Sequence, residues 1–214
     1  MPQFLTIIGN VASGKTTAMP ILAKALNAQM IAADDLFQTR NPFREQYLND
    51  IQRWSFTNEL WMTKARASLM DEHAKLGKTD QLTLVDSGLL MSFVYSHSHV
   101  LTGKWISAEW GLYEELFDHF ATDFIQQTQV VYLEYSLDTL MKRLQKRARA
   151  YELQYYTRDY LAQIESSLIE LMQKLEKQGI KVMRVRERDV ADFEGNEDDR
   201  ARLVGMVEQL IVKQ

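Results

Sequence analysis

The chain has 214 residues, 46% of them hydrophobic and 25% charged, with a formal net charge of −4. That length suits a single α/β domain with a substantial core, and the acidic balance argues against a nucleic-acid polymer as ligand, because a phosphate backbone selects a basic footprint. Cysteine is absent, which removes disulfides, thiolate nucleophiles and Cys-ligated zinc. No apolar run approaches the roughly 18–20 residues of a membrane span, and the first residues lack a basic segment followed by an apolar stretch. A cytoplasmic location and no membrane association are therefore expected.

Residues 4–8 read as a first strand, followed by a helix over 15–26 that contains Pro20, where a local bend is expected. A second strand is predicted over 29–33. From about 43 to 76, Tyr47, Ile51, Trp54, Leu60 and Leu69 recur at roughly helical spacing. A third strand covers 82–86, and the span from Ser87 to Thr128 is mainly helical, including 107–126. A fourth strand at 130–134 precedes a helix over 137–149. A helix over 159–178, a fifth strand over 181–185 and a helix over 197–212 complete the chain. Alternating strands and helices imply a five-stranded parallel sheet covered on both faces. The only prolines are Pro2, Pro20 and Pro42, and neither a Gly/Ser-rich linker nor a repeat breaks the chain. Residues 1–214 are thus read as one domain.

Gly9-Asn10-Val11-Ala12-Ser13-Gly14-Lys15-Thr16, with Thr17 after it, fits G-x-x-x-x-G-K-[ST] between a strand and a helix. Such a loop converges backbone N–H groups on phosphate oxygens, aided by the positive end of the helix. Lys15 would reach the β- and γ-phosphates of ATP, and the Thr16 hydroxyl would bind Mg²⁺. The chain is thereby assigned a three-layer P-loop kinase fold. Asp86 ends the third strand, on the sheet edge where ligands gather; it would hold the metal, or else cap a helix. Asp34 and Asp35 follow the second strand. Asp34 is preferred as the base for an attacking hydroxyl, with an ordinary helix N-cap as the alternative. Lys142, Arg143, Lys146, Arg147 and Arg149 cluster late in a helix. They read as a cationic lid over about 143–156 that neutralises the transferring phosphoryl group, or as a solvated basic face.

These residues resemble the deoxynucleoside kinase family along nearly the whole chain. The likeness is carried by the phosphate loop and by Asn41-Pro42-Phe43 with Arg53-Trp54-Ser55-Phe56-Thr57. It continues through Glu109-Trp110, Tyr132-Leu133-Glu134, Arg143…Arg147-x-Arg149-x-x-Glu152, Asp192-Phe193 and Asp198 to Arg202. The resemblance implies ATP- and Mg²⁺-dependent phosphorylation of a (deoxy)nucleoside 5′-hydroxyl and a homodimer. It also implies Arg147 and Arg149 on the phosphates, Glu152 on the sugar 3′-hydroxyl, Asp34 as base, Asp86 on the metal side and Arg66 facing the base.

Departures concentrate on the acceptor side. Ser87 follows Asp86 where the family has arginine, Glu59 replaces a base-reading glutamine, Leu48 replaces a sugar-side tyrosine, and Ser92 replaces an aspartate. Ionised Glu59 offers only acceptors, which suits a guanine-like, donor-rich edge, unless Glu59 pairs with Arg66 two helical turns on. Trp54, Trp61, Phe56 and Tyr47 are candidates to stack on a base, or are core. His97 and His99 lack the further ligands a zinc site needs. Two other functions stay open: a P-loop kinase for another small hydroxylated acceptor, and a nucleotide-binding regulatory protein without phosphotransfer.

Overall fold

The computed structural model describes residues 4–32, 36–76, 81–148 and 155–212. Five strands, β1 (Phe4–Gly9), β2 (Gln29–Ala32), β3 (Thr83–Asp86), β4 (Thr128–Glu134) and β5 (Val182–Arg186), form one sheet in the order β2-β3-β1-β4-β5. Every pairing is parallel. From β1 the chain reaches the edge strand β2, returns to β3 between them, and then crosses to β4 and β5 on the other side of β1. The loop leaving β1 therefore opens at the switch point, where α/β sheets hold ligands.

Period-2 alternation decides which side chains meet which layer. Phe4, Ile8, Val85, Val130 and Tyr132 join one apolar cluster, while Leu5, Ile7, Leu84, Val131, Leu133 and Val185 join the other. The first is covered by α3 (Ile51–Leu76), α4 (Leu90–Leu101), α5 (Ser107–Gln126) and α7 (Arg158–Lys177). The second is covered by α1 (Lys15–Leu26), α6 (Leu137–Arg147) and α8 (Glu197–Val212). This is the expected three-layer arrangement.

The boundaries differ where local chemistry competes with periodicity. The long pattern over 43–76 is two helices, α2 (Arg44–Asn49) and α3, because Asp50 is extended at φ −147, ψ 84. Its carboxylate accepts from the Arg53 N–H at 3.0 Å and so starts α3. A π-helical turn over Leu36–Arg40, unseen in the periodicity, precedes α2. The helical span after β3 resolves into α4 and α5. Helix α6 stops at Arg147, two residues short of the expected end, because Ala148 turns left-handed at φ 51 and its N–H closes on the Leu144 carbonyl at 3.0 Å. Helix α1 runs through Pro20 to Leu26.

Helix α7 sets its apolar stripe against the first cluster through Ile164, Leu168, Leu171, Met172 and Leu175. Leu168 is fully buried, whereas Ile169 is 41% exposed. Leu168→Ala is expected to destabilise the fold by about 2–5 kcal/mol and Ile169→Ala by less than about 1 kcal/mol in urea unfolding. Equal losses would contradict this packing.

Candidate functional site

The phosphate loop is held from four directions. Gly9 lies so close to its surroundings that a Cβ there would sit 2.6 Å from Ser13 Oγ and 2.9 Å from the Leu133 carbonyl. Gly14 has φ +94, and its Cβ would meet the Phe193 ring at 2.8 Å. A side chain at either position would push the loop away from its shape. Asn10 is buried, and its Nδ2 donates to the Leu161 carbonyl at 2.8 Å and to Glu165 Oε2 at 3.1 Å. Its Oδ1 accepts from the Val11 N–H at 2.8 Å. Arg143 donates to the carbonyls of Ser13 at 3.2 Å, Ala12 at 3.4 Å and Ala191 at 2.9 Å, with its guanidinium 4.0 Å from the Tyr135 ring centroid.

Lys15 curls back along the loop and donates to the carbonyls of Gly9 and Asn10, both at 2.9 Å. Its ammonium thus lies where the loop's convergent amides would hold phosphate. Thr16, exposed in the first turn of α1, donates its hydroxyl to Asp86 Oδ2 at 3.5 Å, and Thr17 sits behind it on the same turn. Asp86 is buried at the end of β3, and its Oδ1 accepts from Ser87 Oγ at 3.1 Å. A hydroxyl facing a carboxylate is a donor set that Mg²⁺ accepts, with water completing its octahedron. Ser87, at φ 59, bends the chain away from the loop into α4.

Glu165, on α7, links the loop to β4. It receives Asn10 on one oxygen and the Tyr132 hydroxyl on the other. Burial pushes its carboxyl above the usual carboxylate range, against the pull of those two hydrogen bonds. Burial, reinforced by Glu165, likewise raises the Tyr132 phenol.

A second polar group lies on α3 and α4. Glu59 and Arg66 are buried, but they do not pair. Glu59 Oε1 accepts from Asn58 Nδ2 at 2.8 Å and lies 3.8 Å from His99 Nε2. Asn58 in turn accepts from Asn41 Nδ2 at 2.7 Å. Arg66 Nη1 donates to Ser92 Oγ at 2.8 Å. Ser92 lies in the first turn of α4, six residues past Asp86, so this group shares the active edge of the sheet. His97 and His99 diverge: His97 meets Ser167 at 3.1 Å, while His99 stacks near Trp105 and Tyr47. Trp54 is half-buried between Phe43 and Arg53.

Gly9, Asn10, Val11, Ala12, Ser13, Gly14, Lys15, Thr16, Thr17, Asp86 and Arg143 therefore gather at one edge, with Glu59 and Arg66 nearby. Arg147 is exposed at the end of α6. Asp34, Arg149 and Glu152, with residues 149–154 of the expected lid, lie outside the described residues. The roles of Asn58, His99 and Glu165 were missed from sequence. His99 and Glu165 meet partners on distant segments, and Asn58 joins its neighbour Glu59 to Asn41 across a helix break, so only the phosphate-loop position of Asn10 pointed toward one of them.

Removing the Asn10 amide unhitches the loop from α7, where it donates to the Leu161 carbonyl and to Glu165. Asn10→Ala is expected to weaken ATP binding about tenfold, the equivalent of one hydrogen bond to a charged or buried partner. Glu165→Gln, which retains an acceptor for Asn10, should bind ATP nearly as wild type does. Calorimetric titration checks both, and an unchanged affinity in Asn10→Ala would contradict the strut.

Comparison with known proteins agrees with this geometry. The deoxynucleoside kinase family model matches residues 5–212. Deoxyguanosine kinase of Bacillus subtilis (strain 168) is 26% identical over 212 residues, covering 98% of both chains. Deoxyadenosine/deoxycytidine kinase of the same organism is 26% identical over 157 residues, covering 71% of this chain and 69% of its own. Among solved structures, deoxyadenosine kinase from M. mycoides with bound dATP superposes with a TM-score of 0.70 at 18% identity, over 97% of this chain and 98% of the other. With the family model spanning almost its full length and its phosphate loop built as described, the chain belongs to the deoxynucleoside kinase family.

Proposed function

We propose that this phosphotransferase moves the γ-phosphoryl group of ATP, with Mg²⁺, onto the 5′-hydroxyl of a deoxynucleoside. The observation that carries the reading is the conjunction at one sheet edge of Lys15 curled into its loop, Thr16 facing Asp86 at 3.5 Å, and the buried Glu59–Arg66 group close by. A nucleoside bridges two such places, presenting a hydroxyl to the first and a polar ring edge to the second.

In this reading the loop amides and Lys15 grip the triphosphate. Thr16 and Asp86 hold Mg²⁺, which when bound neutralises phosphate charge. The nucleoside 5′-oxygen forms a bond to the γ-phosphorus as the bond to the ADP oxygen breaks, and the hydroxyl proton passes to Asp34. Arg147 and Arg149 stabilise charge on the equatorial oxygens, and Glu152 holds the sugar. Arg143, engaged with backbone carbonyls, acts instead by positioning the loop. Trp54, stacked with Phe43, offers an aromatic face on the acceptor side.

The same reading carries a cytoplasmic setting and a homodimer. No helix among the described residues is long and apolar enough to cross a membrane. Leu101, Ile106 and Leu112 leave apolar surface exposed around the α4–α5 connection, which supports self-association.

Lys15→Ala should lower kcat with deoxynucleosides by about 10²–10³-fold or more, the scale on which loss of one transition-state charge partner is felt, while circular dichroism stays that of the wild type. Near-normal turnover in the folded variant would overturn the proposal.

A further inference from the structure

Resting on that kinase reading, we infer that the acceptor pocket selects a guanine base, with Glu59 as the specificity-determining residue and Arg66 as its counterpart. Glu59 is 4% exposed and Arg66 9%, and both project from one face of α3 seven residues apart. Helical side chains lean toward the N-terminus, which inclines Arg66 toward Glu59. Around them stand the Tyr47 and His99 rings, together with Tyr95, whose ring lies 5.9 Å from the Arg66 guanidinium carbon. Aromatic rings thus flank two buried groups of opposite charge.

The polar inventory of this cluster is incomplete in the protein alone. Arg66 Nε and His99 Nε2 are buried without hydrogen-bond partners. Glu59 receives one hydrogen bond on its side chain, from Asn58, although an ionised carboxylate has about four acceptor sites. Unmade hydrogen bonds on buried groups are costly, so the cluster is suited to a ligand edge that supplies donors to Glu59 and an acceptor to Arg66. The Asn41–Asn58–Glu59 chain holds the carboxylate in place for that contact.

Among the natural bases only guanine has that edge. Its N1–H and N2–H₂ are two adjacent donors for Glu59, and its O6 is an acceptor for Arg66. Adenine would turn its N1 lone pair toward the carboxylate, cytosine its N3 and O2, and thymine its O2 and O4 on either side of a single N–H. Each mismatch opposes two acceptors across a buried contact. Hypoxanthine keeps N1–H and O6 but loses one donor, so it should rank second.

Calorimetric binding of deoxyguanosine, deoxyinosine, deoxyadenosine and deoxycytidine to the full chain and to Glu59→Gln, alongside steady-state kinetics with ATP, tests this. Wild type should bind deoxyguanosine about tenfold more tightly than deoxyinosine and about a hundredfold or more beyond deoxyadenosine. Glu59→Gln, nearly isosteric and still able to accept from Asn58, should erase most of the guanine-over-adenine ratio through KM rather than kcat. Deoxyadenosine or deoxycytidine binding as tightly as deoxyguanosine, or an unchanged ranking in Glu59→Gln, would overturn the inference. Tight deoxyguanosine binding without turnover would sustain it and refute the kinase reading. Turnover of nucleosides with no guanine preference would do the reverse.

Discussion

The constraint on which the rest depends is the shape of six residues, Gly9 to Gly14, curled between β1 and α1. Holding that shape uses partners from β4, α6, α7 and the segment between β5 and α8. The Leu133 carbonyl closes on Gly9, Arg143 ties the carbonyls of Ala12 and Ser13, Asn10 anchors to Leu161 and Glu165, and Phe193 lies over Gly14. A loop without these struts would have to be ordered by its ligand, at a cost in affinity. Here that ordering is largely done by the fold, and the carbonyl oxygens that would repel phosphate are occupied by Arg143 and Lys15.

The same struts join the nucleotide side to the rest of the molecule. Arg143 bridges the phosphate loop to Ala191, in the segment that Asp199 fixes by accepting from the Ala191 and Asp192 N–H groups at 3.0 and 2.8 Å. Asn10 and Glu165 bridge it to α7, whose apolar stripe is embedded in the first core cluster. On the acceptor side, Asp86 ends β3 and Ser92 begins α4, so six residues connect the expected metal position to the Arg66 partner. Phosphate grip, metal position and base-side cluster are thus consequences of one sheet edge.

The layers were legible because short apolar runs, buried along the whole of β1 and β3, alternate with helical periodicity, and because G-x-x-x-x-G-K-T has a fixed strand–loop–helix context. Helices α1, α5 and α8 matched their periodicity residue for residue. The division of the 43–76 pattern was not visible, since Asp50 interrupts by capping Arg53, a side-chain contact that periodicity does not register. The early stop of α6 arose in the same way, from a left-handed Ala148. In the site, Lys15, Thr16 and Asp86 could be placed from chain order alone. The partners of Glu59 could not. The alternative pairing with Arg66 on the same helix is not formed: Glu59 meets Asn58 and His99, while Arg66 donates to Ser92 on a neighbouring helix. Arg143, grouped with the lid cations by spacing, lies against the Tyr135 ring and donates to the carbonyls of Ala12, Ser13 and Ala191, contacts that spacing does not register.

The measurement that tests the account most directly is calorimetric titration of ATP with magnesium into the folded chain. Saturable one-site uptake that weakens when magnesium is chelated is the predicted result. Heat no greater than dilution, from protein whose unfolding transition remains cooperative, would contradict it.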